Sequence, residues 1–289
     1  MISGMFLLDE HMEYPIKKLY FTKIFRIGVA YLLWATFYAL IDQYHAHHAI
    51  QLRGLIYGII YGHYHLWFLF MISGLYAATP IYRWIAQNEK VCIYFMVLSF
   101  VAVFCCNVFE KIPKGGSILA YTFRCLDLNL VGGYSIYFLL GHYLAKHKIS
   151  HRSTRIGIYV IGGLAVCGTV IFNGAYSVYR GIAKEWVFSN LWPNTFMVAV
   201  SLFVFCQSHF SEMKLSQRQY SLISLFAKLS FGIYLVHAFF LEHLRLIGLP
   251  HFFIHPLLSI PITSCLTFML SLFTIYIINK IPLLRKYAI

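Results

Sequence analysis

Histidine is the residue type in this chain best suited to acid–base chemistry, and one apolar stretch carries two histidines at its start. The stretch from Gly62 to Trp84 is long enough to cross a bilayer, yet it begins with His63 and His65 and has Trp67 just inside. A histidine close to a hydrocarbon core normally faces protein or water, which favours a helix that lines a site. The alternative is that both histidines lie at the membrane interface, where aromatic belts also place tryptophan.

A second polar face is predicted nearer the C-terminus. Ser230, Tyr234 and His237 are separated by four and three residues, so they share one face of a helix. Lipid cannot satisfy these groups, so the face must point at other helices or at water. Because His65 and His237 both map to the outer half of the predicted bundle, we expect them to line one polar site. The alternative, strongest for Ser230, is ordinary helix packing.

Two cations mark the start of the first predicted span. Lys23 and Arg26 are three residues apart, about one helical turn, at its cytoplasmic end. They could bind the phosphate groups of a cytosolic ligand, because a guanidinium group binds phosphate through two hydrogen bonds. The alternative is that they only mark the cytoplasmic side of the membrane.

A metal site is not predicted. His45, His47 and His48 resemble a metal-binding tract, but Asp42 is the only acidic residue close to them in sequence. The seven cysteines form no Cys-x-x-Cys pair and fall mostly inside apolar runs. We therefore expect no metal ligands in this chain.

The composition determines the class of protein that must position these side chains. The chain is 60% hydrophobic, 18% aromatic and only 11% charged, which exceeds what the core of a soluble domain can bury. The formal charge of +13 is spread in short clusters between apolar runs, which argues against nucleic acid as a partner. We predict an all-α, polytopic bundle of membrane helices with the lipid bilayer as its surroundings.

Eight membrane-spanning helices are predicted from the apolar runs. With a cytoplasmic N-terminus, sixteen of the 23 lysines and arginines fall in the inner loops and the other seven in the outer loops. This imbalance predicts that both termini are cytoplasmic and that the protein crosses the inner (plasma) membrane several times. The predicted spans are 24–44, 62–84, 91–109, 130–145, 156–174, 191–208, 225–243 and 257–279.

Three stretches resemble the membrane-bound acyltransferase 3 family, whose members acylate surface sugars of bacteria. MISGMFLL at residues 1–8 resembles the end of that family's second helix, and HLWF at 65–68, continuing through GLYAATPIYR, resembles its fourth helix. LSFGIYLVH at 229–237 resembles the Ser-x-x-x-Tyr-x-x-His pattern of its ninth helix. Within the family, the branch that acetylates enterobacterial common antigen is the most similar.

The resemblance implies a function and roles for the polar residues. The expected reaction is transfer of an acetyl group from cytosolic acetyl-CoA to a hydroxyl of a polysaccharide or lipid-linked sugar of the cell envelope. His65 and His237 are then candidates for catalysis or for positioning the acceptor. Trp67, Ser230 and Tyr234 would bind the acceptor sugar, and two cations, Lys23 and Arg26, would bind the CoA phosphates.

The resemblance covers nearly the whole chain, so residues 1–289 are expected to form one domain, but it also implies a deficit. The family has about ten helices, and its first helix carries an arginine and a histidine expected to act in acyl transfer. The match of residue 1 to the end of the second helix implies that both are absent here. A misassigned start, an inactive membrane scaffold left by truncation, and a component of polysaccharide export remain as alternatives.

Overall fold

The computed structural model describes residues 1–9, 15–47, 51–111, 121, 125, 133–182, 185–249 and 255–287. Helix is the regular secondary structure of these ranges, which contain no strand, so the predicted all-α class is confirmed. Two π-helical segments, Leu19–Ile24 and Phe100–Cys105, interrupt the α-helices. The α-helices are α1 (Ile2–Leu7), α2 (Ile16–Lys18), α3 (Phe25–His47), α4 (Leu52–Tyr61), α5 (Trp67–Ala77), α6 (Thr79–Gln87), α7 (Glu89–Ser99), α8 (Cys106–Phe109), α9 (Ser135–Lys146), α10 (Arg152–Arg180), α11 (Pro193–Phe210), α12 (Gln217–Leu246), α13 (Pro256–Ile278) and α14 (Pro282–Tyr287).

Five helical segments of the described chain are long and apolar enough to cross a membrane. The shortest has 21 residues, or about 30 Å of helix, which matches the thickness of a hydrocarbon core. These five coincide with five of the eight predicted spans, and they make the chain a multi-pass membrane protein. They are Ile16–His45, Glu89–Phe109, Arg152–Arg180, Gln217–Leu246 and Pro256–Ile278.

The span predicted from Gly62 to Trp84 is not one helix, and this prediction was wrong. Gly62 has a φ of 67°, in the left-handed region that glycine adopts without steric cost, and it ends α4. The next four residues form a turn, so α5 begins only at Trp67. His63 and His65 therefore lie in this turn and not on a helix face.

A second break in the same stretch follows from a proline. Pro80 has no backbone N–H to donate to the carbonyl four residues earlier, and its ring crowds that carbonyl. The chain accordingly ends α5 at Ala77 and begins α6 at Thr79, with Pro80 in the first turn, where a missing donor costs least. The result is two short helices of 11 and 9 residues.

The other two predicted spans are shorter in the structure than a typical crossing. The helix predicted at 130–145 is α9, which has 12 residues, and residues 130–132 lie outside the described ranges. The one predicted at 191–208 is α11, which has 18 residues and starts at Pro193.

The chain divides into two compact units. Unit 1 comprises Met1–Ile16 and Ala77–Met213, and unit 2 comprises Lys17–Tyr76 and Lys214–Ile289. In unit 1, α10 packs along α11, and α1 packs against α9 at very short range. A Cβ atom built on Gly141 would lie 2.1 Å from the backbone oxygen of Met1, so the two helix backbones are in direct contact.

Unit 2 contains two helix pairs, α3 with α4 and α12 with α13. The first pair is antiparallel, because Tyr31 donates to the carbonyls of Ile59 and Ile60 at 2.8 and 3.0 Å, while Gly58 lies against Ala39. The core of the unit consists of buried side chains from α3, α5, α12, α13 and the 63–66 turn. This core supports the site described next.

Candidate functional site

The two histidines that the sequence singled out lie side by side in unit 2. The ring centroids of His65 and His237 are 5.2 Å apart with an edge-to-face angle of 80°. His65 comes from the 63–66 turn and is 6% exposed, whereas His237 comes from α12 and is half-buried. The predicted proximity of these two side chains is confirmed.

Tyr234 joins the turn to α12. Its hydroxyl donates a hydrogen bond to the backbone carbonyl of His65, and its ring lies 5.7 Å from the rings of both His65 and His237. Because the donor belongs to α12 and the acceptor to the turn, this bond fixes the position of the turn along the axis of α12. Tyr234 therefore has a positioning role that its spacing alone did not reveal.

One ring nitrogen of His237 is committed to the backbone and the other is available. Nδ1 lies 2.6 Å from the carbonyl oxygen of Tyr234, and a carbonyl can only accept, so Nδ1 carries the hydrogen. In neutral His237 the lone pair is then on Nε2, which has no hydrogen-bonding partner among the residues described. A half-buried imidazole with a free basic nitrogen is suited to act as a general base.

His65 has neither nitrogen free. Its Nε2 lies 3.3 Å from the carbonyl oxygen of Leu235, and its Nδ1 lies 2.9 Å from Nδ1 of His63. By the same argument, Nε2 of His65 donates to Leu235, so in a neutral ring Nδ1 accepts from His63. The predicted pair of equivalent histidines is thus divided into one that holds the turn and one that can exchange a proton.

Tyr38 of α3 is part of this site and was not predicted. Its hydroxyl donates to the carbonyl of Leu235 at 2.9 Å and accepts from the backbone N–H of Phe239 at 3.2 Å. Its ring stacks on His63 with centroids 4.3 Å apart and an angle of 18°. Tyr38 is 1% exposed, and nothing in its sequence surroundings distinguishes it from the other tyrosines of the apolar spans.

Two carboxylates complete the polar cluster. Oε1 of Glu242 lies 3.2 Å from Nε2 of His63, and a carboxylate oxygen of Asp42 belongs to the same group of ligand-type atoms. Neither carboxylate was predicted to belong to a site. Their scarcity in a chain with only 10 acidic residues was the signal that could have drawn attention to them.

One of the predicted acceptor-binding residues, Ser230, lies apart from this cluster. Ser230 is exposed and donates back to the carbonyl of Ala227 at 2.8 Å in its own helix. Trp67 is 45% exposed at the start of α5, with its ring 6.3 Å from that of Phe68. The structure therefore brings Tyr234 to the histidines but not Ser230.

The predicted phosphate-binding cations lie at the opposite end of α3. Lys23 is in the π-helical segment before α3, Arg26 is in its first turn, and both side chains are exposed. Arg26 precedes Tyr38 by twelve residues, which corresponds to about 18 Å of helix. The cations therefore lie about 18 Å along α3 from the tyrosine that stacks on His63.

Comparison with known proteins identifies the family. The model of the acyltransferase domain that defines the acyltransferase 3 family matches residues 1–278. The chain belongs to the acyltransferase 3 family. Neither the search of curated proteins nor the search of solved structures found a match.

Membership of the acyltransferase 3 family makes the chain a membrane acyltransferase. Acyl transfer to an alcohol requires a base for the hydroxyl proton, which is the chemistry that the free nitrogen of His237 offers. The predicted similarity to the enterobacterial common antigen branch, the absence of two helices and the single-domain organisation stay predictions.

Proposed function

We propose that this protein is an O-acyltransferase that transfers an acetyl group from cytosolic acetyl-CoA to a hydroxyl of a cell-surface polysaccharide or a lipid-linked sugar. The observation that carries the proposal is the half-buried His237, whose Nδ1 is held by the carbonyl of Tyr234 while Nε2 stays available. Family membership supports the reaction class, and the position of His237 supplies the group that this reaction needs.

In the proposed reaction, Nε2 of His237 takes the proton of the acceptor hydroxyl. The hydroxyl oxygen attacks the thioester carbonyl, a C–O bond forms, and the C–S bond to CoA breaks. The protonated imidazole then returns its proton to the departing thiolate, so His237 ends the cycle neutral. Tyr234 and His65 act as positioning residues, because their hydrogen bonds hold the 63–66 turn against α12.

The donor would bind through Lys23 and Arg26. Both are exposed cations at the start of α3, and phosphate groups are bound well by such pairs. With about 18 Å of helix between Arg26 and Tyr38, the long pantetheine arm of CoA would run along α3 to bring its thioester to the histidines. This arrangement agrees with the proposed orientation, in which the start of α3 faces the cytoplasm and the acceptor lies on the outer side of the inner membrane.

The test is an acylation assay with the purified protein in lipid vesicles. Radiolabelled acetyl-CoA is supplied with lipid-linked sugars, and alkali-labile label on the sugar is measured, because an acetyl ester is cleaved by mild base. Removing a general base typically costs a factor of about 100 to 10,000 in rate. We expect His237→Ala to fall in this range while the protein still inserts into the membrane.

His209 provides a matched control. Its Nδ1 lies 3.0 Å from the carbonyl of Phe205 in α11, so it is another histidine tied to its own helix, but it belongs to unit 1. His209→Ala should acylate at the wild-type rate. Equal rates for wild type and His237→Ala would remove His237 as the base. Sugar that crosses the vesicle membrane without gaining label would favour the export alternative.

A further inference from the structure

Three ligand-type side chains from three separate segments meet in unit 2. They are Asp42 from α3, His63 from the turn before α5, and Glu242 from α12. One ligand atom from each lies within 4.8 Å of the other two, and Nε2 of His63 is 3.2 Å from Oε1 of Glu242. Two ligands bound at 2.0–2.2 Å to a tetrahedral ion are separated by roughly 3.4 Å, so the spacing fits a shared metal ion with small adjustments.

The hydrogen-bond chain behind His63 determines which of its nitrogens faces the carboxylates. The carbonyl of Leu235 can only accept, so Nε2 of His65 carries a hydrogen and Nδ1 of neutral His65 accepts. Nδ1 of His65 therefore accepts a hydrogen bond from the N–H at Nδ1 of His63, which lies 2.9 Å away. Nε2 of His63 is therefore the nitrogen left to face Glu242.

This arrangement requires a positive charge between His63 and Glu242. A bare lone pair on Nε2 would face the lone pairs of a carboxylate, and a second carboxylate, from Asp42, is adjacent. Like charges this close are unfavourable unless a cation separates them, above all because His63 is 8% exposed and poorly hydrated. Either a proton or a metal ion can occupy this position.

Two features favour the metal ion over the proton. A metal-binding histidine characteristically donates its other ring N–H to a fixed acceptor, and His63 does so to His65. The His63 ring is also held by stacking on Tyr38, whose hydroxyl is fixed between Leu235 and Phe239.

We propose that Asp42, His63 and Glu242 bind one divalent transition-metal ion of the zinc type, with water as the remaining ligand. One imidazole and two carboxylates form a ligand set that such ions accept, and the exposed Asp42 side gives ion and water access. The ion links α3, the 63–66 turn and α12. It therefore stabilises the turn that carries His65 beside His237.

The experiment uses the full chain, purified in detergent with a tag that contains no histidine. The protein is stripped with a chelator, dialysed, and titrated with zinc alone, and bound metal per chain is measured by mass spectrometry. We expect one equivalent in the wild type and a rise in melting temperature on zinc addition. His63→Gln should weaken zinc binding by at least about tenfold, since even indirect partners of metal ligands contribute that much.

A second variant tests the proposal in case His63→Gln does not fold. Asp42 is exposed, so Asp42→Asn should fold normally and still lose zinc affinity and the zinc-dependent rise in melting temperature. Glu212→Gln is the control, because this glutamate is 91% exposed and outside unit 2. The proposal is overturned if the wild type binds no stoichiometric zinc. It is equally overturned if Asp42→Asn binds zinc as the wild type does, and the cluster then holds a proton only.

Discussion

The buried hydroxyl of Tyr38 offers a direct test of how α3 and α12 are joined. In Tyr38→Phe the ring remains to stack on His63, but the hydroxyl that serves Leu235 and Phe239 is lost. Leu235 keeps its bond from His65, and the backbone N–H of Phe239 keeps its helix bond to the carbonyl four residues earlier, so the cost is that of the hydrogen bonds made by the lost hydroxyl. A hydrogen bond contributes about 0.5–1.5 kcal/mol net, and we expect the variant, which loses two, to be destabilised by about 1–2 kcal/mol.

The measurement is thermal unfolding of the purified protein in one detergent. Tyr61→Phe is the matched control, because it removes the same hydroxyl from a side chain that is 78% exposed. We expect Tyr38→Phe to melt several degrees lower, at roughly 2–4 °C per kcal/mol, and the control to melt with the wild type. Backbone hydrogen exchange adds a local readout, since the amide of Phe239 should exchange faster only in Tyr38→Phe.

Two results would refute this reasoning. If Tyr38→Phe and Tyr61→Phe had the same melting temperature, the hydroxyl would contribute nothing to the junction. If Tyr38→Phe melted lower but the amide of Phe239 exchanged as in the wild type, the loss of stability would come from elsewhere.

Three further predictions concern packing, the acceptor side and orientation. Gly141→Ala should destabilise the fold by about 1–3 kcal/mol, since its Cβ would overlap the backbone of α1, whereas Gly163→Ala, with open space around it, should be neutral or stabilising in the same unfolding assay. Ser230→Ala should acylate within about twofold of wild type, because among the described residues its hydroxyl bonds only within its own helix. A loss of about 100-fold would show that Ser230 belongs to the site. Reporter fusions at Lys148 and Ala288 should both indicate the cytoplasm, and a periplasmic signal from either would reverse the proposed orientation.

The helical class and the neighbouring histidines were accessible from sequence because they depend on composition and periodicity. Apolar content alone required membrane helices, and the three-residue spacing of Tyr234 and His237 placed both on one face of α12. Ser230 shares that face by angle, but seven residues correspond to about 10.5 Å along the axis. Among the described residues, the polar contacts of the 63–66 turn with α12 lie from Tyr234 onward, so the same periodicity included Ser230 without a contact to the turn.

The turn itself was not predictable from hydropathy. Residues 62–84 read as one apolar span because a hydropathy window averages over a single glycine with positive φ and a single proline. The start of α12 was missed for a related reason, since this helix begins at Gln217 and not at the first strongly apolar residue, Leu225. The polar first turns of a helix carry no apolar signal, so the helix extends beyond the span.

Roles for the histidines depended on backbone partners that no sequence pattern encodes. His65 and His237 are the same residue type in the same cluster and each contacts one carbonyl, but His65 also pairs with His63. A helical carbonyl has two lone pairs, so that of Tyr234 can accept from a ring nitrogen of His237 in addition to the helix bond. His237 thus keeps a free nitrogen, whereas the second nitrogen of His65 is paired with His63.

The same partners make the catalytic and metal proposals independent of each other. The series of hydrogen bonds that begins at the proposed metal ligand His63 ends at the carbonyl of Leu235. The tautomer of His237 is set by a different carbonyl, that of Tyr234, one residue earlier. Removing the ion would loosen the 63–66 turn but would leave the hydrogen on Nδ1 of His237. Chelation should therefore lower stability and weaken acceptor positioning, while the loss caused by His237→Ala should be the same with and without zinc. If the two losses could not be separated, the proton acceptor would lie on the metal side of the cluster and not on His237.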